Sequence, residues 1–259
     1  MSKIDKLKPN GERRLLISLS GGETSGFMAL WLLAFTRKHW DDIVVIFANT
    51  GQENEATLAF VHLLETYYNV RIVWVEAKVH FGARKACTHE VVDYTTASRN
   101  GEPFEEVIKK YGIPNASWPH CTRELKERPI HSYVRNELGW TKGSYATAIG
   151  IREDEMDRMS ARANSEGWVY PLVGLRPMTK PLVNSFWQSQ PERLNLKGYQ
   201  GNCKWCWKKT LRKHYTLVAE DASTYDFPKR MERLYGGSEH NIEKAEREYS
   251  SAAIRAQTI

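Results

Sequence analysis

The chain has 259 residues, of which 41% are hydrophobic and 26% are charged, so it can bury a core of its own and is not a disordered chain. Its formal net charge of +6 favours anionic partners such as nucleotides or nucleic acids, although a solvated basic face would give the same value. Segment 1–14 is polar, and the longest apolar run, 27–35, is shorter than the roughly 20 residues that cross a bilayer, so we expect no signal peptide and no membrane partner.

Short apolar runs alternate with helical patterns along the chain, which predicts a doubly wound, mostly parallel α/β sheet. The strands of such a sheet are continuous apolar runs because helices cover both of their faces. The predicted strands are 15–19, 43–48, 70–75 and 144–149, and the predicted helices are 24–38, a helix that ends near residue 68, 103–111 and 122–138.

The predicted domain organisation has one large unit between two smaller ends. Residues 1–14 are expected to form a flexible N-terminal arm, 15–209 an α/β domain, and 210–259 a helical C-terminal appendage. Residues 78–119 are polar and turn-rich, which predicts an insertion. Residues 170–200 are rich in Pro and aromatic side chains and are predicted to be irregular.

The first predicted strand ends in SGGETS, residues 20–25, which we call the glycine turn. In a parallel sheet, such a turn and the next helix N-terminus lie at the carboxyl edge, where backbone N–H groups attract anions. Glycines permit a tight turn and a close approach by a phosphate, and hydroxyls add donors. The turn lacks the Lys of the Walker pattern, which excludes a generic P-loop ATPase, while a plain strand-to-helix connection remains the alternative. The candidate phosphate-binding residues are Ser20, Gly21, Gly22, Glu23, Thr24 and Ser25.

Five further motifs follow the glycine turn in order. They are ANTG at 48–51, CTRELKERPI at 121–130, GIREDEMDR at 150–158, YPL at 170–172 and GNCKWCWKK at 201–209. Each motif is weak alone, but the ordered set resembles the PP-loop superfamily of ATP pyrophosphatases and, within it, the PAPS reductase family. The resemblance extends over residues 15–209 and implies a Rossmann-like nucleotide-binding domain, with the YPL motif in a later strand.

The resemblance also implies roles for particular residues. The glycine turn would grip the phosphates of ATP or a related adenine nucleotide, with Mg²⁺ neutralising their charge. Asn49, Thr50 and Gly51 would lie beside the nucleoside, and Gly150 would complete the nucleotide-binding set.

Two arginines of the GIREDEMDR motif, Arg152 and Arg158, would supply positive charge near the phosphates or a second substrate. Together with Ser20 they are the candidate catalytic residues. Without the motif, Arg152 and Arg158 would be interpreted as surface salt bridges with the acidic residues around them.

The four cysteines favour a reducing, cytoplasmic compartment and a metal site over a disulfide framework. Cys203 and Cys206 have the CxxC spacing that lets two thiolates bind one metal ion. Iron-sulfur members of the family carry a Cys-Cys pair where this chain has His120-Cys121, so the resemblance implies a 4Fe-4S cluster held by Cys121, Cys203 and Cys206. Cys87 is the first candidate for the fourth ligand and His120 the second. An open position, zinc in the same ligands, and no metal remain alternatives.

The reaction that the resemblance implies is adenylation of an acceptor with release of pyrophosphate, followed by sulfur transfer. The acceptor would be DNA or tRNA, and a sulfur-donor protein would assist. A PAPS or APS reductase, one alternative, needs a nucleophilic cysteine in the C-terminal tail, and no cysteine follows Cys206. A non-catalytic module that binds nucleotide or nucleic acid is the other alternative. A basic and aromatic cluster near the CxxC would either contact nucleic acid or pack and solvate one helix end; it consists of Lys204, Trp205, Trp207, Lys208, Lys209, Arg212 and Lys213.

Overall fold

The computed structural model describes residues 4, 7–8, 10–82 and 84–236. Its six strands are β1 Arg14–Leu19, β2 Asp42–Ala48, β3 Ile72–Lys78, β4 Thr88–Val92, β5 Tyr145–Ile149 and β6 Trp168–Val169. They form one sheet in the order β4-β3-β2-β1-β5-β6, in which only the β3–β4 pair is antiparallel. The predicted doubly wound, mostly parallel α/β sheet is confirmed.

Helices cover both faces of this sheet. Among the described residues, none of them is long and apolar enough to cross a bilayer. The helices are α1 Glu23–Thr36, α2 Glu55–Thr66, α3 Glu102–Tyr111, α4 Arg128–Asn136, α5 Ala163–Glu166, α6 Pro171–Gly174, α7 Lys180–Gln188, α8 Leu211–Glu220 and α9 Asp226–Tyr235.

Strand β1 lies in the interior of the sheet and is covered on both sides. Leu15, Leu16 and Ile17 have no exposed surface. Because side chains alternate across a strand, Leu15 and Ile17 pack in the core under α1, α2 and α7, and Leu16 packs in the core under α4. Burial of each such side chain contributes about 1.5–3 kcal/mol, which fixes the strand that carries the glycine turn.

The polar segment 78–119 contains β4 and α3, and β4 was not predicted. β4 pairs with β3 at the edge of the sheet and is only partly buried, so its sequence lacks a continuous apolar run. Helix α3 packs with α8, α9 and Trp205 in a second hydrophobic core. The helical character predicted after Cys206 is confirmed as far as Tyr235, and residues 237–259 of the predicted appendage lie outside the described residues.

Two helices lie in the segment 170–200, so the prediction that it is irregular is wrong there. Both α6 and α7 have a Pro in the first turn, where its missing N–H is not needed. The YPL motif was expected in a strand, but β6 ends at Val169 and the motif lies at the start of α6. Helix α7 buries Val183 and Trp187 against α1.

Candidate functional site

The glycine turn lies where the strand order reverses. The chain runs from β1 outward to β2 and β3, and later returns to β5 on the opposite side of β1. The carboxyl ends of β1 and β5 therefore flank a crevice, which is the usual ligand position in an open α/β sheet. A Cβ atom on Gly150, just after β5, would lie 3.2 Å from the Ser25 Cα atom, so the two loops are in close contact.

Gly21 is required by both its backbone angle and its packing. Its φ is +78°, in the left-handed region that favours glycine. A Cβ atom on Gly21 would lie 2.5 Å from Thr57 Cγ2 and 3.0 Å from the Phe47 ring. The glycine turn therefore sits directly on residues of β2 and α2.

The first amide N–H groups of helix α1 have no hydrogen-bond acceptor within the helix. The first N–H groups of any helix lack intrahelical acceptors, and the N-cap residue here, Gly22, has no side chain to bond them. Ser20 is exposed and Gly22 and Thr24 are half-buried, so this helix end is accessible at the carboxyl edge. Together with the partial positive charge of a helix N-terminus, these groups form an anion-binding arrangement.

The three hydroxyls of the glycine turn have different partners. Ser25 Oγ accepts a hydrogen bond from Ser20 N at 3.1 Å and donates one to Gly22 O at 2.9 Å. Thr24 Oγ1 accepts a hydrogen bond from Arg152 Nη1 at 3.0 Å. The Ser20 hydroxyl, which is exposed, donates to Ser25 Oγ at 2.9 Å, so the Ser25 hydroxyl closes the turn.

Arg152 and Arg158 occupy different positions. Arg152 is 15% exposed, and besides Thr24 it binds Asp154, with 2.9 Å between Nε and Oδ1. Arg158 is 63% exposed and binds Glu155 at 2.6 Å. Glu155 also lies 3.3 Å from Arg152 Nη1, so Arg158 is connected to the glycine turn through Glu155.

Glu23, the acidic residue of the glycine turn, is neutralised by Arg193. The guanidinium binds both carboxylate oxygens, at 2.8 and 2.9 Å. Trp187 Nε1 donates to the Glu23 carbonyl at 2.9 Å. The pairing removes a negative charge that would oppose phosphate binding at this helix end.

The segment from Asn49 to Gly51 forms a buried corner after β2. Asn49 Nδ2 donates to Glu76 Oε1 at 2.6 Å and to Ser98 O at 2.8 Å, and its Oδ1 accepts from Gly51 N at 3.2 Å. The Asn49 side chain has no exposed surface. Its amide is therefore occupied in holding the corner, and Thr50 and Gly51 are buried as well, so the contact of this segment with a nucleoside stays a prediction.

The cysteine turn, which we define as residues 201–206, is attached to the loop that follows β2. Glu53 and Cys203 form an antiparallel bridge, and Asn54 N donates to Asn202 O at 2.6 Å. This short ladder brings the CxxC sequence to the same edge of the sheet as the glycine turn.

Cys203 lies in a polar group with one acid and two lysines. Glu53 is 2% exposed; its Oε1 accepts from Lys126 Nζ at 3.0 Å, and its Oε2 is buried without a hydrogen-bond partner. Lys209 Nζ donates to the Cys203 carbonyl at 2.7 Å. Burial, with the charges of Glu53 and Cys206, raises the pKa of the Cys203 thiol to about 12.

Three thiols share the neighbourhood of these lysines. Burial lowers the pKa of Lys126, but Glu53, Cys203 and Cys121 together hold it above its ordinary value. The thiols of Cys121, Cys203 and Cys206 are half-buried and lie beside this positive charge. Such a donor set fits a thiolate-bound metal or iron-sulfur group. In the described part of the chain, no three His, Cys, Asp or Glu side chains are already arranged as ligands.

The two candidates for a fourth ligand have other neighbours. Cys87 is buried in the second core, where burial and the nearby Glu124 raise the pKa of its thiol to about 11. His120 Nε2 lies 3.0 Å from the Gly112 carbonyl, and its Nδ1 is buried without a hydrogen-bond partner. The fourth ligand therefore stays a prediction, with Cys87 placed among apolar side chains as a neutral thiol.

Sequence reasoning did not single out four polar residues of this site. Lys126 and Asn202 lie inside the motifs CTRELKERPI and GNCKWCWKK, so the motifs held a signal for them. Glu53 and Arg193 lie outside the motifs. Their roles follow only from tertiary contacts with Lys126 and Glu23.

No protein-family model matches the chain. Over 201 residues it is 31% identical to the uncharacterized nin region protein ORF290 of Escherichia phage lambda, across 76% of this chain and 67% of that protein. The chain belongs to the ORF290 family. The ORF290-family chain is also 25% identical over 144 residues to the uncharacterized protein MJ0066 of Methanocaldococcus jannaschii, across 56% of this chain and 24% of that protein. The latter match spans about a quarter of the relative.

Three solved structures are similar in fold to the ORF290-family chain. A PAPS reductase from Candida auris in a phosphate complex is 17% identical, with a TM-score of 0.41 over 73% of this chain and 79% of that one. The tRNA thiolase NcsA from Methanococcus maripaludis, with its 4Fe-4S cluster, is 16% identical, with a TM-score of 0.43 over 92% and 80%. An NH3-dependent NAD synthetase from Campylobacter jejuni is 12% identical, with a TM-score of 0.42 over 93% of each chain.

Proposed function

We propose that the chain is an ATP-dependent enzyme that adenylates an acceptor, releases pyrophosphate and supports sulfur transfer to that acceptor. The observation that carries this proposal is the meeting of an open helix N-terminus, a glycine turn and the Arg152 guanidinium at the reversal point of the sheet. The motif resemblance to the PP-loop superfamily supplies the choice of reaction.

The chain's own groups have distinct tasks in this reaction. Amides of the glycine turn would hold the phosphates of ATP, and Arg152, steered by Asp154, would offset their charge. An oxygen of the acceptor attacks the α-phosphorus, and the bond to the leaving pyrophosphate breaks. A sulfur nucleophile then displaces AMP from the acceptor. Mg²⁺, when bound to the phosphates, supplies further charge neutralisation.

Cys121, Cys203 and Cys206 would hold a metal or 4Fe-4S group near this site. Such a group, when bound with an open coordination position, supplies a place to carry sulfide for transfer. The lysines of the site, Lys126 and Lys209, would balance the charge of the thiolates. If the same three cysteines held zinc instead, the metal would have a structural role only.

A nucleic-acid acceptor is supported by part of the basic cluster near the cysteine turn. Lys208, Arg212 and Lys213 are exposed, as a phosphate-contacting surface requires. Trp205 instead stacks in the second core, on Phe104 and Phe227, so it is removed from the proposed contact surface. The cluster is therefore smaller than its sequence indicates.

Pyrophosphate release from ATP and Mg²⁺, measured with DNA and tRNA offered in turn to anaerobically purified protein, tests the proposal. The Arg152→Ala variant should lose about tenfold or more in kcat/KM, because a charged hydrogen-bonding group at the phosphates is removed. The matched control is Arg13→Ala, since Arg13 is 71% exposed and pairs with Asp41 just before β1, at the amino edge of the sheet.

Three outcomes would contradict the proposal in different ways. Absence of pyrophosphate release with every nucleic acid would remove the adenylation step. Sulfite release from PAPS or APS with thioredoxin would favour the reductase. Full biological activity after substitution of Ser20 and Thr24 together would favour a non-catalytic module. Iron and sulfide counted per chain would decide between the 4Fe-4S group and zinc.

A further inference from the structure

Asn202 connects the cysteine turn to the glycine turn across 182 positions of sequence. Its Nδ2 donates a hydrogen bond to the Ser20 carbonyl. Both polar atoms of its side chain lie 3.5 Å from the position that a Cβ atom on Gly22 would take. The amide of Asn202 is thus packed against the backbone of the glycine turn.

The bond to the Ser20 carbonyl constrains more than one atom. A peptide unit is planar, and in its trans form the carbonyl and the following N–H point in opposite directions. Fixing the Ser20 carbonyl therefore also fixes the direction of the Gly21 N–H. A donor that faces a phosphate contributes fully only when it is oriented before the ligand arrives.

The backbone of Asn202 is held in place independently of its side chain. Its carbonyl accepts from Asn54 N at 2.6 Å, and Cys203, which follows, is bridged to Glu53. Lys209 Nζ binds the Cys203 carbonyl at 2.7 Å. Because Asn202 directly precedes Cys203, a backbone shift in the cysteine turn would reach the residue that contacts the glycine turn.

We propose that Asn202 is a positioning residue for the phosphates of the nucleotide. It orients the Gly21 N–H of the glycine turn, and it makes that orientation depend on the chemical state of the cysteine turn. This inference rests on the proposed function in one respect, namely that nucleotide phosphates bind at the glycine turn.

The first test removes only the side-chain contact. Asn202→Ala should weaken ATP binding about fivefold to tenfold, as expected for the loss of one hydrogen bond that orients a donor. Amide hydrogen exchange should become faster in residues 20–25 and stay unchanged in residues 52–54, because the backbone ladder to Asn54 remains. The control, Asn136→Ala, removes an exposed amide that bonds Ser132 in its own helix, and should leave both measurements unchanged.

The second test uses the coupling between the two turns, which must be reciprocal if it exists. Methylthiolation of the cysteines should change the ATP dissociation constant of the unsubstituted protein and leave that of Asn202→Ala as it was. In the double variant Cys203→Ser and Cys206→Ser, the reagent should have no effect on ATP binding. That result assigns the coupling to the cysteine turn rather than to Cys87 or Cys121.

The outcomes separate this inference from the proposed function. If the unsubstituted protein binds no ATP, the proposed function fails. If it binds ATP and Asn202→Ala binds equally well with unchanged exchange at residues 20–25, the positioning role is overturned. Equal responses of the two proteins to methylthiolation would overturn the coupling.

Discussion

The glycine turn and the cysteine turn face the same edge of the sheet, but they are constructed differently. Six consecutive residues form the glycine turn, whose geometry follows from β1, Gly21 and the start of α1. The cysteine turn depends on Glu53 and Lys126, which are distant in sequence, and on Lys209 from its own motif. A local motif specifies the first arrangement, whereas tertiary contacts specify the second.

This difference predicts which substitutions damage which function. Changes in the glycine turn should act through backbone strain and packing, with effects on stability and phosphate binding together. Changes around the cysteine turn should act through buried polar groups and the second core. The four predictions below test that contrast.

The largest effect is expected for Gly21→Ala. The new Cβ atom would lie 2.5 Å from Thr57 Cγ2, and φ is +78°, so we expect a loss of about 3 kcal/mol in the free energy of unfolding from overpacking and strain combined. Gly139→Ala is the matched control, because its φ is +66° and nothing lies within 4 Å of its Cβ position. Its free energy of unfolding, measured by urea denaturation, should fall by about 1 kcal/mol from strain alone. Equal losses in the two variants would show that contact with α2 does not constrain the turn.

A smaller loss in the free energy of unfolding, about 2 kcal/mol, is expected for Asn49→Ala, which removes all three hydrogen bonds of the Asn49 side chain. Ser98 would still donate to Glu76 through its N–H and hydroxyl, each at 2.7 Å. Because the Asn49 amide is already occupied, ATP affinity of the folded variant should change much less than stability. Calorimetry of unfolding and of ATP binding measures both. A loss of affinity at unchanged stability would instead return Asn49 to the nucleoside contact that the motif resemblance implies.

The sheet could be predicted from the sequence because the apolar runs of β1, β2 and β5 are visible without knowledge of their tertiary contacts. The glycine turn is equally visible, since Gly21 and Gly22 directly follow β1. Strand β4 was missed because an edge strand is half exposed and its sequence, THEVV, is not a continuous apolar run.

Helices α6 and α7 were missed for a different reason. Their prolines were interpreted as marks of irregular structure, although Pro is well accommodated in the first turn of a helix. The distant polar partners of both turns were missed because no local pattern relates Glu53 to Lys126 or Arg193 to Glu23. Such pairs are determined by the packing of the whole chain.

Acid is expected to destabilise the second core through His214, which lies on α8 beside Tyr225. Burial, and then Lys209, lowers the pKa of His214 below its ordinary value of 6.5. The unfolded chain therefore takes up the proton first, so this contribution to stability is present above pH 6.5 and is lost as the pH falls toward the depressed folded pKa. His214→Gln keeps an acceptor for the Tyr225 hydroxyl, and should lose less stability than the unsubstituted protein between pH 7.5 and 5.

The control for His214 is His39→Gln, because His39 is exposed and lies outside the second core. Chemical denaturation at each pH gives the free energies. Parallel acid slopes for His214→Gln and the unsubstituted protein would exclude this residue as a source of acid sensitivity in the second core.

The smallest stability effect is expected at Arg193→Ala, below about 1 kcal/mol, because the ion pair with Glu23 is partly exposed. Its effect on ligand binding should be larger, since an unpaired carboxylate would then stand at the first turn of α1 and repel phosphate. ATP affinity should fall several-fold at low salt and recover partly at high salt, where the repulsion is screened. Arg230→Ala, which breaks a comparable pair with Glu105 between α9 and α3, should change stability as little and ATP affinity not at all. If both variants bind ATP as the unsubstituted protein does, the charge at Glu23 has no influence on the site, and the anion-binding role of this helix end loses its electrostatic support.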